Sequence, residues 1–399
     1  MRSFAGRARI SVVVAASAAA ICLLSSTARS DLSDPSSRPS PARASKAPPA
    51  PDPGGAESPD QPVPAPGKAF GFNSNLYASG VVDTPEEELD ATTRAGAVLH
   101  RFGLPWKHLQ PHRDSPTLGP SGVRRSTDHF YAEALARGVT PIFIIARAPV
   151  WATKYSRCGV FDLECRRIVS DSDSLPLPPD ADHIDEYRSF AKAVKQRWPR
   201  AILESWNEPN LYWKDPAFKG SAAFAAEPEH FKHMQCAAYA ASKAVNDDPV
   251  LAAGWSANHF AEYVGRVYAV GGKRCWDLAN VHLYTGDEVR FGAGSVLARK
   301  LATLRHLKTR YDDADPIWVT ETGFTTSGEN AVTESTQREG ASRLYNRLIT
   351  MKDIGAVLFH TLMDKEGSRD DGVTGFGFLR ADRSAKPIYA HFVERAHRD

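Results

Sequence analysis

From Ala69 onward, eight short apolar runs alternate with longer stretches of helical periodicity. The runs are Ala69–Asn73, Ala97–Phe102, Pro141–Ala146, Ala201–Asn207, Val250–Gly254, Leu278–Leu283, Ile317–Glu321 and Ala356–Thr361. Amphipathic segments such as Ile184–Arg197, Phe231–Asn246 and Glu334–Asp353 lie between them. In the first of these, Ile184, Tyr187, Phe190, Ala191 and Val194 recur at helical spacing. Strands that alternate with helices imply a parallel sheet, because each parallel pairing needs a crossover. Eight such units in about 330 residues fit a closed (β/α)8 TIM barrel, an α/β fold forming a single domain. An open doubly wound sheet is the alternative. It is disfavoured because no G-x-G-x-x-G turn follows the first run.

A barrel of this kind carries its site at the C-terminal ends of the strands. Polar and aromatic residues gather at those ends here. Strand 2 ends in His100-Arg101-Phe102, with Trp106 beyond, and strand 3 leads to Arg147, Pro149 and Trp151. Strand 4 runs into Trp206-Asn207-Glu208-Pro209, then Tyr212 and Trp213, and strand 5 leads to Trp255. Strand 6 ends in His282-Leu283-Tyr284, and strand 7 in Glu321-Thr322-Gly323. Proline has no N–H for a ladder, so Pro209 leaves Asn207 and Glu208 at a strand tip. Two glutamates on two strand tips can face each other across a cleft, and paired carboxylates are what glycoside hydrolysis requires. Taken alone, either motif reads equally well as a surface acid beside a turn. Flat indole faces suit sugar rings, although core packing is the commoner fate of any single tryptophan.

The N-terminal segment and the cysteines point to export. Arg2, Arg7 and Arg9 precede an apolar stretch from Ile10 to Leu24, and small residues follow at Ser26-Thr27-Ala28. This is the pattern of a signal peptide over residues 1–28. The apolar stretch is short for a membrane span, with a retained anchor as the alternative. Bulky Ile21 before Cys22 argues against lipidation. Residues 29–67 hold eleven prolines among Ser, Ala, Gly and Asp, a composition expected of a disordered linker. The catalytic domain is then 68–399. Cys158, Cys165, Cys236 and Cys275 remain after the signal segment, an even number that suggests two disulfides in any of three connectivities. No C-x-x-C or H-E-x-x-H pattern favours a metal. Lys plus Arg total 49 against 47 acids, so no basic excess points to nucleic acid.

Trp206-Asn207-Glu208-Pro209-Asn210-Leu211 with Trp213, and Thr320-Glu321-Thr322-Gly323 at strand 7, resemble a clan A glycoside hydrolase of the cellulase-like superfamily, with a family 39 flavour. The resemblance spans residues 69 to about 395. It takes in Arg101, His282 and Tyr284, and the tail Gly375-Phe376-Gly377-Phe378-Leu379 to Lys386-Pro387-Ile388-Tyr389. It implies Glu208 as general acid/base and Glu321 as nucleophile of a retaining, double-displacement enzyme. Asn207 would bind the sugar 2-hydroxyl, Arg101 and Tyr284 would hold Glu321 ionised, and His282 would line the cleft. Trp106, Trp151, Trp213 and His360 complete the expected substrate-binding set. Strand 8 departs from the pattern. Val357-Leu358-Phe359-His360-Thr361-Leu362 lacks the tryptophan that usually floors the cleavage site. Phe359 or His360 stands in its place, and His360 reads equally as an interior residue.

The expectation is therefore a secreted, monomeric glycosidase acting on a β-linked polysaccharide or glycoconjugate. It needs no cofactor or metal, binds no nucleic acid and is not inserted in a membrane once the signal is removed. A non-catalytic carbohydrate-binding barrel is the alternative. The lack of a G-x-S-x-G elbow weakens an esterase reading.

Overall fold

The computed structural model describes residues 68–74, 85–119, 121–159, 161–170, 176–211, 213–214, 226–284, 295–365 and 374–397. The expected signal segment and linker lie outside them. Eight strands form the sheet: β1 (Ala69–Asn73), β2 (Leu99–Pro105), β3 (Thr140–Ala146), β4 (Ile202–Glu204), β5 (Val250–Leu251), β6 (Ala279–Tyr284), β7 (Ile317–Gly323) and β8 (Ile354–Phe359). The helices are α1 (Pro85–Arg94), α2 (Trp106–Leu109), α3 (Gly122–Ala136), α4 (Leu163–Ser170), α5 (Ile184–Arg197), α6 (Pro228–Lys243), α7 (Phe260–Ala269), α8 (Val296–Arg310), α9 (Glu334–Thr350) and α10 (Pro387–Ala396). The strand order is β5-β4-β3-β2-β1-β8-β7-β6, and every pairing between these strands is parallel. A parallel bridge from Leu251 to Leu278 joins the two ends of the order, so the sheet closes into the expected (β/α)8 barrel.

Local chemistry explains the helices. In α5, Asp185 and Glu186 sit in the first turn and Lys195 and Arg197 in the last, matching the helix dipole. Its Tyr187, Phe190, Ala191 and Val194 are buried against the barrel. Ser121 caps α3 by accepting from the Arg124 N–H, and Thr333 caps α9 by accepting from the Thr336 N–H. Gly71 has a packing reason. A Cβ there would come within 2.6 Å of the Leu99 Cβ, so β1 and β2 meet as closely as they do only without a side chain.

Two apolar layers hold the barrel. The larger fills the space between strands and helices, and aromatic contacts such as Phe102 on Phe130 and Phe143 run through it. The smaller lies inside, where Leu99, Ile142, Ile202, Leu251, Leu278, Trp318, Ala356 and Leu358 form one cluster drawn from almost every strand. Disulfides join Cys158 to Cys165 and Cys236 to Cys275, which selects one of the three connectivities. No helix among the described residues is long and apolar enough to cross a membrane.

The two strands that lead to the glutamates end differently from the periodicity. β4 stops at Glu204, three residues before Asn207, which forms an isolated parallel bridge to Gly254. The chain must leave the ladder here, because Glu208 adopts a left-handed φ of 46° just before Pro209. β7 instead runs two residues past Glu321, to Gly323.

Candidate active site

Above the inner apolar layer the barrel interior turns polar. Arg101, fully buried on β2, sits at its centre. Its Nε and Nη2 donate to the two oxygens of Glu204 at 2.6 and 2.7 Å, a bidentate pair. Nη1 donates to Asn73 Oδ1 and to Glu321 Oε1, both at 2.7 Å, and Nη2 also reaches Asn207 Oδ1 at 2.9 Å. One guanidinium thus ties together the ends of β1, β4 and β7.

A bulge aims Glu321. β6 and β7 pair Val281 with Val319 but His282 with Glu321, so Thr320 is the extra residue. Thr320 is held by its Oγ1 donating to Asn280 Oδ1 at 2.7 Å and by its carbonyl accepting from Asn73 Nδ2 at 2.7 Å. Glu321 then lies opposite His282 and accepts from the Tyr284 hydroxyl at 2.8 Å. Burial alone would raise its carboxyl pKa. His282, Arg101 and His360 outweigh burial and bring it down to about 2. Burial raises the Tyr284 hydroxyl well above its ordinary value, and the charges of Glu321 and Glu208 push it further, so it remains a donor.

Glu208 is buried on the opposite side of the mouth, and its Oε1 lies 2.8 Å from His282 Nδ1. The same Nδ1 is 3.5 Å from Glu321 Oε2. The His282 Nε2 faces Arg101 Nη2 at 3.4 Å. Arginine only donates, so Nε2 accepts and Nδ1 carries the proton between the two carboxylates. One oxygen of Glu208 and one of Glu321 come within 4.8 Å of each other, and His282 Nδ1 reaches both, lying nearer to Glu208. The other oxygen of Glu208, Oε2, is buried with no hydrogen-bond partner among the described residues. Glu208, His282 and Glu321 also have the spacing of a metal cluster, as do Glu86, His129 and Glu133 at the surface. A cation in the first set would have to displace the His282 proton.

Behind β6, Lys300 on α8 is buried, and its Nζ donates to the carbonyls of His282 at 2.5 Å and Trp255 at 3.1 Å. Burial lowers its pKa to about 7, against the pull of Glu208 and Glu321. His360, at the end of β8, is buried beside Tyr284 and Phe376, and its Nε2 has no hydrogen-bond partner among the described residues. Burial lowers its pKa to about 4.

Of the residues singled out from the sequence, Arg101, Asn207, Glu208, His282, Tyr284, Glu321 and His360 gather here. The three tryptophans do not. Trp106 is completely buried, stacks on Phe190 and donates to Gln110 Oε1 at 3.0 Å. Trp213 is buried on Tyr263 and donates to Glu227 Oε2 at 3.1 Å. Neither ring keeps a face for a sugar, so both belong to the packing rather than to the expected binding set. Trp151 is partly exposed and lines a separate cavity beyond β2 and β3. Glu204, Asn73 and Lys300 were not singled out from the sequence. Glu204 carries a signal in retrospect. It lies two residues after inward-facing Ile202, so it shares that face of the strand.

No protein-family model matches the chain, and no curated protein matches its sequence. Solved structures do match its fold. One is a family 39 glycoside hydrolase from Bacteroides cellulosilyticus WH2, with a TM-score of 0.61 and 19% identity over 82% of this chain; the match spans 63% of that protein's length. Another is a GH5_18 protein from Bifidobacterium longum subsp. longum in complex with Manb1-4GlcNAc, with a TM-score of 0.63 and 16% identity over 83% of this chain and 78% of that one. A third is a hyperthermophilic beta-glucosidase from Pyrococcus furiosus, with a TM-score of 0.59 and 15% identity over 83% of this chain and 95% of that one. These neighbours are clan A glycoside hydrolases, so the barrel expected from the motif resemblance is the one this chain shares with them.

Proposed function

We propose that this chain is a secreted retaining glycoside hydrolase that cleaves a β-linked polysaccharide or glycoconjugate. One observation carries the reading. Two buried glutamates on different strand ends bring oxygens within 4.8 Å of each other, and their surroundings differ in the way the reaction requires. Retaining enzymes hold their carboxyls about 5–5.5 Å apart, whereas inverting ones need about 6.5–9.5 Å to admit a water.

Glu321 is the nucleophile. Arg101 and Tyr284 hold it ionised and fix both oxygens, leaving it to attack the anomeric carbon from below. Glu208 is the acid/base. Its buried, unpartnered Oε2 gives a proton to the departing glycosidic oxygen. The resulting glycosyl-enzyme ester is opened by a water from which Glu208 takes a proton back. His282 bridges the two acids. The oxygen of Asn207 is committed to Arg101, so its amide nitrogen is the end that meets a sugar hydroxyl. His360 is uncharged near neutral pH and offers Nε2 to the sugar from the place where related enzymes carry tryptophan. Trp151 serves a more distant unit. Export is supported by the signal-like N-terminus and the two disulfides. The domain acts as a monomer, needs no cofactor and binds no nucleic acid.

The test is to trap the intermediate. A panel of activated 2-fluoro glycosides should inactivate the enzyme, with the label on Glu321 in peptide mass spectra. Early NMR of the product from an unmodified substrate should show the substrate's anomeric configuration. An inverted first product would overturn the mechanism.

A further inference from the structure

Among the described residues, two cavities at the mouth of the barrel differ in charge. The one beside β7 and β8 is about 510 Å³, and its Lys386 and Arg380 are paired with Asp364 and Glu334, which also line it. The one outside the C-terminal ends of β2 and β3 is about 460 Å³, lined by Lys107, His108, His112, Arg113 and Trp151 together with small and apolar residues. No carboxylate lines it among the described residues. The whole chain carries a formal charge of only +2, so a wall with Lys107 and Arg113 and no carboxylate among the described residues is not a sample of a generally basic surface.

The walls are fixed. The Lys107 N–H donates to the Arg147 carbonyl at 3.0 Å, which ties the β2 end to the β3 end. Trp151 donates to the Gln110 carbonyl at 3.2 Å and packs edge-on against Trp106 and His183. Arg113 has an ion pair with Glu186 at 3.2 Å, but both groups are solvent-accessible, and such pairs are weak. Position matters as well. β3 pairs with β4, whose continuation carries Asn207 and Glu208. The cavity thus lies at strand ends next to the strand that leads to Glu208.

We infer that this cavity is a subsite for an anionic sugar, one bearing a carboxylate or a sulfate ester, held beyond the unit that is cleaved. The sugar ring lies against Trp151, and its anionic group meets His112 and Arg113. The inference rests on the glycosidase reading for its substrate, but it is tested by binding. Three matched probes are cellotetraose, its C6-oxidised glucuronate form and its 6-O-sulfated form. Calorimetric titration uses the whole chain carrying Glu321→Gln, so that nothing is turned over. One or both charged probes should bind about tenfold or more tightly than cellotetraose, and the preference should shrink as salt is raised. Which probe wins identifies the carboxylate or the sulfate. Adding His112→Glu and Arg113→Glu should abolish the preference. The same pair placed in the otherwise unaltered enzyme should leave turnover of a neutral aryl glycoside within about twofold, since neither residue touches the reacting groups. Equal binding of the three probes, no binding of any, or a preference that survives the double variant would overturn the inference. Loss of all aryl glycosidase activity with the preference intact would instead sink the glycosidase reading and leave the anion site standing.

Discussion

The two ends of the barrel interior are built from the same strands and do opposite things. At the lower level Leu99, Ile202, Leu278 and Leu358 pack against one another. Two residues further along the same strands stand Arg101, Glu204, Asn280 and His360. The inward phase of the strand is unchanged, but the environment passes from an apolar layer to a charged network within one two-residue step. The lower layer supplies adhesion that needs no partner. The upper layer is tolerable only because each charge meets another, and Arg101 alone answers Glu204 and Glu321. The proposed reaction centre lies in this charged layer.

The sharpest way to break this comparison is at Glu321. Glu321→Gln keeps the shape and hydrogen-bond reach of the side chain but removes its nucleophilic charge. The variant should fold, and kcat should fall by about 10⁴-fold or more, since a covalent mechanism has no substitute nucleophile. A variant that keeps a tenth of the activity would mean that the upper layer is structural polar packing and not a reaction centre.

Glu208→Ala should be more selective. Substrates with poor leaving groups should slow by about 10²–10⁴-fold, while activated aryl glycosides should lose far less in the first step. External azide should restore turnover of the aryl substrates, because the cavity left by the side chain admits a small anion. Equal losses across leaving groups would remove Glu208 from the acid role.

The same contrast decides how much of the molecule is legible in its residues. The helix α5 matches its periodicity residue for residue, and β1 likewise, because amphipathic spacing and apolar runs report burial directly. The two glutamates at the mouth are legible because Pro209 and Gly323 mark where strands give way to loops. Glu204 is not, since a lone acid in an apolar run makes sense only with Arg101, 103 residues away. Trp106 and Trp213 mislead for a related reason. Nearness in sequence to a strand end fixes height along the barrel but not radial direction, and both rings turn outward into the packing beneath the helices.

A pair of substitutions two residues apart on β2 sharpens the comparison further. Arg101→Met should cost about 3–5 kcal/mol of stability by stranding Glu204 and Glu321 as uncompensated buried acids, and it should abolish activity. Leu99→Ala should cost about 2–5 kcal/mol through the cavity it leaves, yet activity per folded molecule should survive. Chemical denaturation together with active-site titration separates the two. Loss of specific activity in folded Leu99→Ala would show that the apolar layer sets the geometry of the network above it.

The smallest expected effect lies in pH. The lower layer has no titratable group, so any pH dependence of stability inside the barrel comes from the upper one. Glu321 has a folded pKa of about 2, below its ordinary 4.5. Its contribution is therefore present in full above about pH 4.5 and declines as pH falls from there through 2. His360 works the other way. Burial brings its pKa from 6.5 down to about 4, so the unfolded chain takes up a proton at a higher pH than the folded one. Stability should then fall as pH drops from 6.5 toward 4, by about 2 kcal/mol at pH 5 from this group. His360→Phe removes that proton uptake. The difference in unfolding free energy between wild type and His360→Phe should shift in favour of the variant by about that amount between pH 7 and pH 5, while Leu99→Ala should run parallel to wild type. Parallel curves for His360→Phe would mean that the ring exchanges protons with solvent as freely as in the unfolded chain, and the electrostatic distinction between the two ends of the barrel would then not extend to β8.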